Sequence, residues 1–98
     1  MTVKEASVRT GTGVSVSVKI ATPSQPAGDG TPTAVICHGA GGDLGHPLIQ
    51  AMANGLCASG YTTVRFNFDY RERGEDHPDP LATRQQTLDS VIHQTVLR

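Results

Sequence analysis

A run of 14 residues, 34-AVICHGAGGDLGHP-47, changes from an apolar stretch to a histidine and four glycines within eight positions, then to a proline. Glycines at that density bring a backbone close to something: a nucleotide phosphate, a reacting carbonyl oxygen, or only its own turn. A phosphate-gripping P-loop needs Gly-Lys-Ser/Thr after the glycines, and none follows. A dinucleotide-binding turn needs G-x-G-x-x-G opening a helix directly after a strand. Gly39 and Gly41 supply the first pair, but Leu44 holds the third position and Gly45 comes one residue late. Asp69 stands where a ribose contact would be wanted, so this motif is approached without being met. Acyl transfer needs main-chain N–H groups aimed at the oxygen on which negative charge develops. A His-Gly-x-Gly-Gly turn at the carboxyl end of a parallel strand offers them. A flexible turn with no chemistry also accounts for the glycines.

Other reactive side chains add little. The serines are Ser7, Ser15, Ser17, Ser24, Ser59 and Ser90, and none lies in the G-x-S-x-G of a nucleophile elbow. Cys37 and Cys57 sit in apolar segments and are expected to be small core residues. Cys37 and His38 are adjacent in an extended segment, so their side chains point to opposite faces and cannot form a nucleophile–base pair. The four histidines and two cysteines have no C-x-x-C or H-x-x-x-H spacing, and no metal site is expected. Asp43 and His46, in the loop above the strand end, are candidates for touching a ligand. Each has a plainer alternative, a loop or cap residue and a histidine bonding backbone ahead of Pro47.

Alternation of Val14, Val16, Val18 and Ile20 with polar neighbours predicts a half-buried strand over 14–20, paired through Gly11-Thr12-Gly13 with a strand over 3–9. This hairpin, 3–20, is followed by a linker, 22–33, rich in proline and glycine. A β-α-β-α unit then occupies 34–97. Ala34–Cys37 is a strand covered on both faces. A helix opens at Pro47, with a face of Leu48, Met52 and Leu56 beside Ile49 and Ala53, and closes at Gly60. The next strand, 62–68, puts Val64, Phe66 and Phe68 on one side and Arg65 and Asn67 on the other. A buried Arg65 calls for a carboxylate partner. Residues 69–79 read as a charged, solvated loop. The last helix is capped by Asp79 ahead of Pro80, with Leu81, Leu88, Val91, Ile92 and Val96 along its face. Strand–helix–strand in this order demands a parallel pair, so the class is α/β, a hairpin followed by a parallel β-α-β-α unit.

With 98 residues the chain makes one domain at most, and its formal charge of −1 gives no reason to expect nucleic acid or an anionic membrane as partner. No apolar run approaches the length of a membrane span, and the first ten residues lack the apolar stretch of a signal peptide, which points to a cytoplasmic protein.

The spaced elements 37-CHGAGG-42, His46-Pro47, 65-RFNFDY-70 and 80-PLATRQQTLDSVI-92 together resemble the α/β-hydrolase superfamily, in its dienelactone-hydrolase-like branch. The resemblance covers residues 34–92 and implies the N-terminal part of that fold. It implies that Gly39, Ala40 and Gly41 form the oxyanion-hole turn, with the Ala40 backbone N–H as donor and His38 bracing the turn. It implies small ester or lactone substrates in intact relatives and no cofactor. The nucleophile, acid and base of that family have no counterpart here, so the chain alone is expected to be inactive. The strand that would flank 33–38 in the family is also missing, which leaves an open edge suited to self-association. Two other expectations stand beside it: a non-catalytic interaction module on the same scaffold, and a nucleotide-binding α/β unit.

Overall fold

The computed structural model describes residues 1–28 and 32–96. Linker residues 29–31 and the expected end of the last helix at 97 lie outside the described residues. Four strands form one sheet: β1 (Thr2–Arg9), β2 (Ser15–Thr22), β3 (Ala34–Cys37) and β4 (Thr63–Phe66). Their order is β1-β2-β4-β3. The expected hairpin pairs Thr2 with Thr22 through Arg9 with Ser15. β2 runs antiparallel to β4, and β3 runs parallel to β4 in the register Val35–Val64. A mixed α/β sheet with a parallel pair built on one crossover is therefore what the chain forms.

The crossover is α1 (Pro47–Ala58), which packs on the β3–β4 face. Its buried stripe is Ile49, Ala53 and Cys57. Leu48 and Met52, expected to face the core, are instead 63% and 47% exposed. Both stripes satisfy the four-residue step, and the one that packs is the one that meets Ile36 of β3, with Leu56 partly buried beside it. α1 ends in a Schellman arrangement: the Gly60 N–H reaches the Cys57 carbonyl and the Tyr61 N–H reaches that of Leu56. Gly60 takes φ +97° there, and its carbonyl accepts from Ala27 N–H, which anchors the linker against the helix end.

α2 (Asp69–Glu72) is a helical turn inside the stretch read as a charged loop, and α3 (Leu81–Thr95) follows. The turn forms because Asp69 and Tyr70 are buried, each only 1% exposed, while the charges lie beyond them. Asp79 does not cap α3; it accepts from Arg73 at 2.6 Å, and Pro80 occupies the cap position with no side-chain bond. α3 covers the other sheet face, where Val8, Val16, Val18, Val64, Phe66, Phe68, Tyr70 and Val91 form the main core. Thr87 and Val91 are its buried residues; Leu81 is 68% exposed. Asp69 ties three elements together, since the Thr12 hydroxyl of the hairpin turn donates to its Oδ2 and the Thr87 hydroxyl of α3 to its Oδ1. No helix of the described residues is long and apolar enough to cross a membrane.

Two glycine substitutions should separate these roles. A Cβ on Gly60 would strain a left-handed residue and sit 2.4 Å from Ala27 N. Gly60→Ala is expected to cost about 2 kcal/mol or more and lower Tm by roughly 8 °C or more. Gly55→Ala in α1 meets no atom within 4 Å and should stabilise by about 0.5–1 kcal/mol. Thermal unfolding of both variants checks the contrast.

Candidate functional site

β4 is buried at every residue, so its alternation sends one set of side chains into each layer. Val64 and Phe66 enter the core with Phe68. Arg65 and Asn67 point to the α1 side, where they grip one residue of the glycine loop. The Leu44 N–H donates to Asn67 Oδ1 at 2.8 Å, and the Leu44 carbonyl accepts from Arg65 Nη1 at 3.1 Å. Among the described residues, the buried Arg65 guanidinium makes no salt bridge, and the carboxylate partner expected for it is replaced by this main-chain carbonyl. A carbonyl satisfies a guanidinium donor without burying a second charge. The opposed Lys19, its cross-strand neighbour, turns away to Glu5 at 3.5 Å.

Asn67 is itself held. Its Nδ2 donates to Glu72 Oε1 at 3.1 Å, and that same oxygen accepts from the Ser17 N–H of β2. The loop is thus fixed from β2, through α2 and β4, to Leu44.

His38 braces the carboxyl end of β3. It is 5% exposed, and its Nε2 accepts from the Phe68 N–H at 3.1 Å. A backbone amide only donates, so Nε2 carries the lone pair and the ring proton sits on Nδ1. Nδ1–H then donates to the Gly39 carbonyl at 2.9 Å. The rings of Phe68 and Tyr70 lie edge-on to it at 5.1 and 5.7 Å. Both nitrogens are spent on main chain, so His38 has no free nitrogen for proton transfer.

Between these two anchors the chain turns tightly. The Gly42 N–H closes on the Gly39 carbonyl at 3.1 Å, with Ala40 and Gly41 at the corner and φ +78° at Gly41. A positive φ at the second corner residue is the mark of a type II turn, and it explains glycine at 41. The other glycines of the cluster have no positive φ. The Ala40 and Gly41 amides donate to no acceptor among the described residues, and both residues are exposed. Gly39 to Gly42, His46, Leu48 and Ile49 line a shallow cleft of about 250 Å³.

His46 is the N-cap of α1, its Nδ1 accepting from Leu48 N–H at 3.2 Å. Asp43 accepts from Gly45 N–H at 2.8 Å and lies 3.8 Å from Arg71. It faces a different hollow, of about 400 Å³, with Glu5, Lys19 and Asn67. The two candidate contact residues are therefore not brought together. Cys57 is buried as expected, but Cys37 is exposed at the sheet edge. Its backbone lies on the sheet, and desolvation by the protein around the sulfur raises its thiol above the usual value. The described residues contain no group of three or more His, Cys, Asp or Glu able to hold a metal ion. The Arg65–Leu44–Asn67 grip was missed from sequence; two polar residues spaced by two in an otherwise buried strand were its signal.

A β1-β2-β4-β3 sheet with a glycine turn capping the parallel β3 defines the first half of an α/β-hydrolase sheet. The family model for an alpha/beta hydrolase domain matches residues 30–98, and the chain belongs to that family. Among solved structures it is similar to an alpha-beta serine hydrolase homologue from Coxiella burnetii, at 24% identity and TM-score 0.76, covering 96% of this chain and 45% of that one. It is also similar to XC6422 from Xanthomonas campestris, described as a serine hydrolase without a lid (20% identity, TM-score 0.72, 94% and 44% covered). A carboxyl esterase from Bacillus coagulans matches at 18% identity and TM-score 0.59, over 96% and 33%. The chain spans under half the length of these structures. A comparison with curated protein sequences finds no match. The superfamily resemblance and the N-terminal portion of its fold are thus borne out.

If His38 is a brace, its loss is structural and an acceptor alone should restore part of it. His38→Leu leaves the buried Phe68 N–H unpaired and is expected to cost about 1–3 kcal/mol. His38→Gln places an amide oxygen near the Nε2 position and should recover a measurable part in denaturant titration.

Proposed function

We propose that this chain carries the main-chain oxyanion-stabilising part of an ester-cleaving hydrolase site and does not turn over substrate alone. Support comes from one arrangement: the Gly39–Gly42 turn is rigidly held at both ends, yet the Ala40 and Gly41 amides at its tip have no internal acceptor. Such preorganised donors stabilise an alkoxide because they need not reorient as charge develops. The Ala40 N–H is the assigned donor; Gly39 and Gly41 shape its approach, and His38 sets the turn's root. The cleft beside it, with Leu48 and Ile49, would seat the apolar part of a small acyl ester or lactone. His46 is proposed as a contact in that cleft, although its side chain already bonds backbone, while Asp43 faces the other hollow and would touch only a substrate reaching around the turn. No serine here stands in G-x-S-x-G, so the attacking group is not among these residues.

Two measurements test this. With a generic acyl ester, the 98-residue chain should show no turnover above a heat-killed control; turnover would overturn its inactivity. Proline suits the first corner of a type II turn and has no N–H. In a hydrolase completed with an elbow-bearing half, Ala40→Pro should therefore keep the fold and lower kcat about 10²–10³-fold. Unchanged kcat would remove Ala40 from the role.

A further inference from the structure

Most charges of the stretch 69–79 pair with one another near the surface. Arg73 holds Glu75 at 2.7 Å and Asp79 at 2.6 Å, and Arg71 holds Asp76 at 2.8 Å. Glu72 is the exception. Among the described residues it makes no ion pair. It turns to the sheet instead, where its Oε1 accepts from both Asn67 Nδ2 and the Ser17 N–H. The Asn67 N–H in turn donates to the Ser17 carbonyl at 3.1 Å. Ser17, Glu72 and Asn67 thus close a ring of hydrogen bonds on the β2 side of β4.

That ring orients a side chain that cannot orient itself. The amide torsion of asparagine is broad and roughly twofold, so one bond leaves it loosely placed. A carboxylate oxygen only accepts, so the end of Asn67 that meets Glu72 is the donor, Nδ2. Oδ1 is then left to face Leu44, whose N–H can only donate. A flipped amide would set donor against donor at Leu44 and acceptor against acceptor at Glu72. The bond to the charged carboxylate is the stronger of the two. The carboxylate is also tied to β2, so it does not follow the amide if that turns.

We infer that Glu72 is a positioning residue for the oxyanion turn, fixing Leu44 through Asn67 and with it the exit of the Gly39–Gly42 turn. What the turn does rests on the function proposed above; the positioning rests on the ring alone. α2 shows how the two ends of the turn are kept in register. Phe68, its N-cap, donates its N–H to His38 at the turn's entry, and Glu72, its last residue, holds Asn67 at the exit. The Glu72 N–H donates to the Phe68 carbonyl at 3.3 Å. A single helical turn therefore sets the spacing between both anchors.

Residue-resolved amide exchange and side-chain amide NMR spectra of the 98-residue chain test this. In the unaltered chain the Asn67 side-chain amide protons should exchange slowly; rates of a free asparagine would overturn the inference without any variant. Glu72→Ala should speed exchange of the Leu44 N–H and the Asn67 side chain about tenfold or more, while the Val64 and Phe66 amides keep their rates. Glu72→Gln, whose amide oxygen can take both bonds, should restore most of the protection. Glu75→Ala removes a carboxylate that pairs with Arg73 and should change neither signal. In an Asn67→Ala background, Glu72→Ala should add nothing at Leu44. Leu44 exchange that ignores Glu72→Ala, rises in step with the β4 ladder, or is not restored by Glu72→Gln would overturn the inference. Ala40 reports separately: slow exchange there in the unaltered chain would remove the oxyanion reading and leave the Glu72 result standing.

Discussion

Leu44 is held at both ends of its own main chain, its N–H by Asn67 and its carbonyl by Arg65, and the shape of the glycine turn follows from that grip. A loop rich in glycine has more conformational entropy to lose than any other, so a fixed turn needs anchors outside itself. Here one anchor is the Leu44 pair, and the other is His38, bonded to Phe68 and Gly39. Both are supplied by β4 and the residues directly after it. Because β4 is buried on both faces, its side chains cannot relax toward water, and each bond it makes to the loop is made in a low-dielectric setting. The turn tip, by contrast, is left with amides that nothing in the described protein satisfies.

The same strand therefore serves two purposes through its period of two. Its even residues build the core with the valines of the hairpin; its odd residues hold the site. Asp69 extends the arrangement by joining the hairpin turn to α3, so that loop, hairpin and last helix are all referenced to the carboxyl end of β4. An interior network of this kind stabilises only while every member is paired, because an unpaired buried donor costs about 1–3 kcal/mol.

Local periodicity made the hairpin, β4 and α1 legible in the sequence, since Val14 to Ile20 and Val64 to Phe68 alternate without interruption. The strand order β1-β2-β4-β3 is not contained in any period of the sequence, and it is the structure that supplies it. The expected face of α1 is met at Ile49, Ala53 and Leu56 but not at Leu48 and Met52, because two adjacent apolar stripes share the four-residue step and the helix packs on Ile36 through the second. Arg65 was assigned a carboxylate because a buried cation usually has one, whereas main-chain carbonyls are invisible to sequence. Asp69 stood at the head of an expected solvated loop, although the loop's first two residues turn inward. The glycine turn was located correctly, but sequence could not show that Gly41 alone needs a positive φ. Nor could it show that Asp43 and His46 face different hollows.

Everything said of the site depends on the tip amides being free while those of Gly42, Leu44 and Phe68 are held. Residue-resolved amide hydrogen exchange measures this directly. Leu44 and Phe68 should exchange slowly, with protection close to that of the β4 ladder, and Ala40 and Gly41 should exchange near the rate of an unstructured peptide. Slow exchange at Ala40 would mean its N–H is engaged within the protein, and the account given for the turn would be wrong.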